Sequence, residues 1–235
     1  MLKLIKLEWK KNNINKYIIR AMILTAVLCL LVLGLVFSDM ALDPDTGMLD
    51  APSGYDIVSP FVELLSNMSY ICFSGVMLAS FIVSAYKNKT MSLMFSYPIK
   101  RQKILLAQML AAWSFSFTAL ALTKLFLYFC IWIGSRYIQP VFQLDFNLKS
   151  VSFYTHLIVS SAVMVSISFI ALYIGLKMRS SKATIIASVI LIFVTQGNIG
   201  EFSLAGNVVM YGILLLSSLV FVLLSLYMAE TRDLM

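Results

Sequence analysis

A chain of 235 residues that is 60% hydrophobic and only 12% charged differs from ordinary globular domains, which are about 45–50% apolar and about 25% charged. The formal net charge of +7 comes from basic residues in short clusters between apolar runs, which indicates membrane topology and not nucleic-acid binding. This composition excludes a water-soluble fold and predicts an all-α, polytopic membrane protein, with one transmembrane domain over residues 1–235 and no separate soluble domain.

Residues 1–16 are predicted to form an interfacial helix on the inner leaflet. Lys3, Lys6 and Lys10 fall on one helical stripe, while Trp9 belongs to a neighbouring apolar stripe. This pattern suits a helix whose basic side meets the lipid headgroups, and a flexible juxtamembrane segment is the alternative. The apolar run that follows is longer than the roughly 7–15 residues of a signal peptide, so we interpret it as a retained first span.

Six apolar runs are predicted to cross the membrane, because each spanning helix needs about 20 mainly apolar residues. The predicted spans are residues 17–38, 61–86, 104–134, 154–176, 183–200 and 207–228. The fifth is the least regular. Its apolar part, Ala183–Thr195, is too short to cross alone and requires the following residues as a bent or re-entrant segment packed against protein.

Basic residues predict the orientation of these spans. The N-terminal stretch, residues 87–103 and residues 177–182 are rich in lysine and arginine, whereas residues 39–63 carry six acids and no base. Every second connection is therefore basic, as the positive-inside rule requires of six spans with both ends inside. We expect a multi-pass protein of the cell membrane with both termini in the cytoplasm.

Motifs for catalysis are absent from the sequence. There is no H-E-x-x-H zinc motif, His156 is the only histidine, and no G-x-x-x-x-G-K-[ST] phosphate loop is present. We therefore expect no enzymatic activity, no metal site and no cofactor in this chain. Cys29, Cys72 and Cys130 lie within apolar runs and are interpreted as small packing residues.

Lys124 is the one charge predicted to lie inside a span, near the outer interface. A long lysine at this depth can reach water with its ammonium group, and we favour this interpretation over a role in a substrate pathway. Acids inside the spans are not expected, so a proton or sodium gradient is a poor energy source. The pathway is expected to be apolar, and span hydroxyls such as Ser160 and Ser166 are expected to bond between helices.

The connection Tyr86–Lys103 contains an apolar stretch, Thr90–Tyr97, that is too short to span. Met91, Met94 and Phe95 share one helical face, Thr90 can cap the start of the helix, and the proline at 98 ends it. Such a helix between basic flanks has two possible positions. It lies on the membrane surface, or it inserts into a groove on a partner protein with its methionines as adaptable packing.

The sequence KNKTMSLMFSYPIKRQKILLAQML, from Lys87 to Leu110, resembles the signature of ABC-2 type transporter permeases. In that family a short cytoplasmic coupling helix between the second and third spans docks on an ATPase subunit. The resemblance assigns this role to Thr90, Met91, Ser92, Leu93, Met94, Phe95, Ser96, Tyr97, Pro98 and Arg101.

The resemblance implies a permease subunit that moves an apolar or amphipathic substrate, most simply a peptide, outward. Its implied partners are an ABC ATPase subunit that binds ATP and magnesium, a second permease copy or paralogue, and membrane lipids. The short segment 196–205 points to the small bacterial permeases for lantibiotic immunity or amphipathic-toxin export. The alternative is a non-transporting sensor or assembly factor that uses Tyr86–Lys103 only as a surface anchor.

Overall fold

The computed structural model describes residues 2–42, 58–87, 101–138, 150–196 and 208–231, and these residues are almost entirely helical, with no strand among them. Helix α3 combines Val58–Leu78, a π-helical turn at Ala79–Val83 and a last turn at Ser84–Lys87. The other helices are α1 (Leu2–Lys11), α2 (Ile14–Leu42), α4 (Arg101–Ile138), α5 (Val151–Met178), α6 (Ser181–Gln196) and α7 (Val208–Thr231).

Five of these helices are long and apolar enough to cross a membrane, namely α2, α3, α4, α5 and α7. The sixth, α6, has 16 residues, which at 1.5 Å per residue is about 24 Å against a hydrocarbon core of about 30 Å. Residues 197–200, the last part of the predicted fifth span, lie outside the described part of the chain. The chain is thus a helical, membrane-embedded protein.

Contacts along the helices show that successive members of the bundle run in alternating directions. The Tyr17 hydroxyl at the start of α2 donates to Ser80 Oγ near the end of α3, at 2.8 Å. Ser59 at the start of α3 is 3.0 Å from the hydroxyl of Tyr128, in the second half of α4. We call the end of the bundle that contains Tyr17 and Ser80 the α1 end, and the opposite end, which contains Ser59 and Tyr128, the Glu63 end.

The same alternation continues through α5, α6 and α7. Lys124 of α4 contacts Ser160 near the start of α5, and Trp113 contacts Ser166 further along it. Rings of α5 and α7 pair in parallel order, with His156 beside Tyr211 and Tyr173 beside Phe221, as expected of two helices separated by the antiparallel α6. The start of α2 and the end of α7 therefore lie at the same end of the bundle, the α1 end.

Helices α3 and α5 form the centre of the bundle. Within their most apolar windows 67% and 61% of residues are buried, whereas α2 and α7 each have 17% buried. The core consists of residues such as Ile71, Leu120 and Ile167, which are almost inaccessible to solvent. The exposed leucines, isoleucines and valines of α2 and α7 instead suit contact with lipid.

Small residues bring α6 against both central helices. A Cβ added at Gly75 of α3 would lie 2.6 Å from Ser188 Cβ, and one at Gly175 of α5 would overlap the hydroxyl of Thr184. After Gly175, α5 ends at Arg179, whose φ of 49° is left-handed, and the amide of Ser180 returns to the carbonyl of Gly175 at 3.2 Å. This turn sends the chain directly back along α5.

Candidate functional site

The segment predicted to dock on an ATPase, Thr90–Tyr97 with Pro98, lies outside the described residues. Its neighbours in sequence are described: α3 ends at Lys87 and α4 begins at Arg101. Both of these helix ends belong to the α1 end of the bundle, since Tyr17, Phe81 and Leu105 share one packed cluster there. The segment therefore connects α3 and α4, both of whose adjoining ends lie at the α1 end.

Helix α1 is docked on α4. The indole Nε1 of Trp9 donates to the backbone carbonyl of Ala111 at 3.0 Å. Beside it, Gln108 Nε2 donates to Glu8 Oε1 at 3.3 Å, and both of these side chains are buried. Trp9, predicted to face the interface, thus fastens α1 to the bundle, while Lys3, Lys6 and Lys10 are exposed.

Lys124 does not reach water, and the expectation that it snorkels to the interface is wrong. Its side chain is 0% exposed and points into the bundle, where Nζ donates to Ser160 Oγ at 3.0 Å. Glu63 Oε1 lies 4.0 Å from the same Nζ. A buried ammonium needs a nearby carboxylate because desolvation without a partner is very costly, and α3 supplies that carboxylate.

Glu63 is the last of the six acids in residues 39–63 and falls just inside the predicted second span, 61–86. It lies in the second turn of α3, where its Oε1 atom also accepts from His156 Nδ1 of α5 at 3.3 Å. Glu63, Lys124 and His156 form a cluster, which we call the charged triad, that joins α3, α4 and α5. Pairing the one lysine within a span with the one acid just inside a neighbouring span is the signal that would have found it.

A chain of hydroxyl groups ties α2 to the bundle near mid-height. The Tyr70 hydroxyl of α3 is 2.6 Å from Thr123 Oγ1 of α4, which is 2.8 Å from Thr25 Oγ1 of α2. Thr25 in turn donates to the carbonyl of Ala21 at 2.9 Å. One consistent direction of donation, from Tyr70 through Thr123 and Thr25 to Ala21, satisfies every acceptor along the chain.

The hydroxyl chain forms part of the wall of an apolar groove of about 850 Å³ between α2 and α4. Its walls carry exposed Met22 of α2 with Leu122 and Phe126 of α4, so the groove is open towards the membrane. Along α4 the lining runs from Phe115 to Phe129, about 21 Å at 1.5 Å per residue. Lys124 is not among the lining residues, because it faces Ser160 on the opposite side of α4.

The serine and threonine hydroxyls of the spans follow the prediction of interhelical bonds only in part. Ser114, Ser161 and Ser168 donate to carbonyls three or four residues earlier in their own helices. Ser160 and Ser166 do bond between helices, to Lys124 and Trp113. Most of these hydroxyls therefore satisfy themselves locally, and the helices are linked by the hydroxyl chain, the charged triad and single bonds such as that from Tyr17 to Ser80.

The cysteines are free thiols, and two of them meet at one end of the groove. Cys29 of α2 lies within hydrogen-bonding contact of Cys130 of α4, one residue beyond the groove residue Phe129. Among the described residues no group of three or more histidine, cysteine, aspartate or glutamate side chains could hold a metal ion. The chemistry that this part of the chain offers is apolar binding and charge pairing.

Comparison with known proteins yields a relative of unknown function. The chain is 25% identical over 209 residues to the uncharacterized protein YcbO of Bacillus subtilis (strain 168), covering 87% of this chain and 88% of that protein. No family model matches the chain. No solved structure matches it.

Proposed function

We propose that this chain is the membrane-spanning permease subunit of an ABC transporter of the ABC-2 type. In this proposal a separate ATPase subunit hydrolyses ATP, and the connection between α3 and α4 transmits its movement to the bundle. Two permease subunits, identical or paralogous, form the complete membrane unit. The substrate is an apolar or amphipathic molecule, such as a peptide, that is moved outward.

The convergence of basic connections at one end of the bundle carries this proposal. The stretch before α2, the connection between α3 and α4, and the α5–α6 turn all belong to the α1 end. Together residues 3–20, 87–103 and 177–182 hold 14 of the 18 lysine and arginine residues. By the positive-inside rule this end faces the cytoplasm, which is the side where an ATPase can reach residues 88–100.

The groove supports an elongated, apolar substrate. It has a volume of about 850 Å³, follows α4 for about 21 Å and is lined by apolar side chains such as Met22, Leu122 and Phe126. Such walls suit an apolar molecule or the apolar part of an amphipathic one.

The charged residues of the described spans support transport that is powered by a separate ATPase and not by an ion gradient. The charged triad holds one carboxylate, and that carboxylate is already shared between Lys124 and His156. Gradient-driven carriers use intramembrane acids as proton or ion sites, and a carboxylate fixed between two basic groups is a poor candidate for that work. The sequence has no phosphate loop of its own, so ATP hydrolysis must come from another polypeptide.

The decisive experiment is recovery of a P-loop ATPase with the tagged chain from its native membrane. We expect stoichiometric copurification and ATP turnover by the complex, with none by the chain alone. Replacing Met94 and Phe95 with aspartate should release the ATPase, because charges would enter a desolvated groove. The matched control replaces Ser92 and Ser96 with aspartate; these belong to the same segment but not to the Met91, Met94 and Phe95 face that is proposed to enter the groove, so this variant should retain the ATPase.

The same experiment separates the proposal from its rival, a non-transporting sensor or assembly factor. If Tyr86–Lys103 only rests on the lipid surface, the Met94→Asp, Phe95→Asp variant loses no partner. Undiminished ATPase recovery at a normal membrane level of that variant contradicts the docking role. Turnover of ATP by the purified chain without a second polypeptide contradicts the proposal that a separate subunit hydrolyses ATP.

A further inference from the structure

We infer that the bend between α1 and α2, which we call the crook, is a binding site for the phosphate headgroup of an anionic phospholipid. The site is a cavity of about 680 Å³ whose lining includes Lys3, Lys6, Lys10, Leu7, Asn13 and Ile14. It belongs to the α1 end of the bundle and not to the apolar groove. This inference stands independently of the transport proposal.

A backbone turn creates the cavity. Helix α1 ends at Lys11, and Asn13 adopts a left-handed φ of 49°, a conformation that asparagine tolerates better than most residues. The amide of Asn13 bonds to the carbonyl of Lys10, and the amide of Lys16 bonds to the carbonyl of Asn13. The chain therefore bends between two helices, and the last turn of α1 faces the first turn of α2 across the crook.

The charges around the cavity are of one sign. Lys3, Lys6 and Lys10 recur at helical spacing and all three line it. The acid of this helix, Glu8, points the other way, where it is buried against Gln108 and paired with Lys11 at 3.5 Å. With its carboxylate turned away, the lysine face presents three ammonium donors to a phosphate.

The remaining lining favours a lipid phosphate over a soluble one. Leu7 is 62% exposed beside the lysines, and Ile14 lies across the crook at the start of the first span. Apolar side chains next to ammonium groups suit a molecule with acyl chains below its phosphate. The side-chain amide of Asn13, which also lines the cavity, adds a donor for the glycerol or headgroup oxygens.

The site is formed before any lipid arrives. Helix α1 is held on α4 by the bond from Trp9 to the carbonyl of Ala111 and by the Gln108–Glu8 contact, so its lysine face has a fixed direction. A fixed lysine face gives a saturable site, unlike a free basic helix that binds an anionic surface diffusely. Because Gln108 and Ala111 belong to α4, the helix that binds the headgroup is attached directly to a membrane span.

The test compares two variants that each lose three positive charges at the same end of the bundle. The site variant carries Lys3→Gln, Lys6→Gln and Lys10→Gln, and the matched control carries Lys177→Gln, Arg179→Gln and Lys182→Gln in the exposed α5–α6 turn. Each full-length protein is purified in detergent and titrated with phosphatidylglycerol or phosphatidylcholine, and bound lipid is counted by native mass spectrometry.

We expect wild type and control to retain one saturable phosphatidylglycerol that the site variant binds at least tenfold more weakly, since each lysine near an anionic headgroup is worth roughly a fivefold change in affinity. Phosphatidylcholine should bind all three proteins alike. Equal losses in both variants would show diffuse attraction and overturn the site. Displacement of the lipid by an equal concentration of inorganic phosphate would show a free-phosphate site and overturn the lipid assignment.

Discussion

Lys124 illustrates how a single residue in a span can be fixed by a partner far away in sequence. Its ammonium group is buried between α3, α4 and α5, next to Ser160 and 4.0 Å from the carboxylate of Glu63. Glu63 is also 3.3 Å from His156, which is half exposed. The buried lysine therefore depends on Glu63 for its charge balance, while His156 is a more accessible and more dispensable neighbour.

Replacing Glu63 with glutamine should destabilise the bundle by about 3–5 kcal/mol, because it leaves the ammonium of Lys124 buried without a carboxylate. Adding Lys124→Met should recover most of that loss, since a buried pair replaced by uncharged side chains is often tolerated. Thermal unfolding of the purified variants in detergent, compared as a double-mutant cycle, measures the coupling. The control is His156→Gln, which should have a smaller effect.

Additive losses from Glu63→Gln and Lys124→Met would contradict this coupling.

The charged triad was partly predictable from the sequence. One lysine within a span, one acid near the start of another and one histidine near the start of a third were all visible in it. What periodicity could not supply was the packing of α3, α4 and α5, which decides whether the lysine reaches water or a partner.

Helix α6 shows how small residues control packing at the scale of one element. It lies against α3 through Gly75 and Ser188 and against α5 through Gly175 and Thr184. In a bilayer, where helix association depends on close packing, such contacts are a main source of stability. They hold in place the short helix α6, whose apolar run was the least regular of the predicted spans.

We predict that Gly175→Ala destabilises the protein by about 1–3 kcal/mol, because the new methyl group would overlap the hydroxyl of Thr184. Gly212→Ala in α7 is the matched control, since a Cβ there meets no atom within 4 Å and alanine is the better helix former. The measurement is the midpoint of thermal unfolding in detergent. Thr184→Ala should rescue Gly175→Ala in part, because it removes the hydroxyl but leaves Thr184 Cβ 2.9 Å from the new methyl group. Equal midpoints for the two glycine variants would contradict this packing.

Helix α1 occupies part of the segment predicted to be interfacial, but its contacts go beyond that prediction. The lysine spacing identified its basic face, and Lys3, Lys6 and Lys10 are indeed exposed on one side. The docking of Trp9 and Glu8 on α4 could not be read from the N-terminal sequence, because it depends on residues of α4 about a hundred positions away. Amphipathic periodicity indicates that one face of a helix packs against something apolar. Only tertiary contacts show whether that face meets lipid or another helix.

At the scale of the whole molecule, the alternating bundle gives the two ends different chemistry. The helix ends next to the basic connections lie at the α1 end, and the charged triad lies towards the Glu63 end. Apolar run lengths were enough to predict the helices, because the bilayer imposes both length and composition on each span. The groove between α2 and α4 could not be predicted, because it is a space left between helices and has no sequence signature of its own.

The orientation of this bundle in the membrane can be tested with single cysteines. In a background without Cys29, Cys72 and Cys130, a cysteine at Ser53 should react with an impermeant thiol reagent on intact cells, because residues 39–63 carry six acids and no base. A cysteine at Ser180, in the α5–α6 turn at the α1 end, is the paired control and should react only after lysis. Mass shifts on a gel measure both reactions.

The reverse pattern, with Ser180→Cys labelled on intact cells and Ser53→Cys protected, would place the α1 end outside. Residues 88–100 would then be out of reach of a cytoplasmic ATPase, and the permease proposal would fail. The lipid site would remain, but it would face the outer leaflet, so the phosphatidylglycerol titration and the labelling experiment test separate claims. Agreement of both would leave α1 bound to anionic lipid on the same side of the membrane as the connection that we propose to dock on an ATPase.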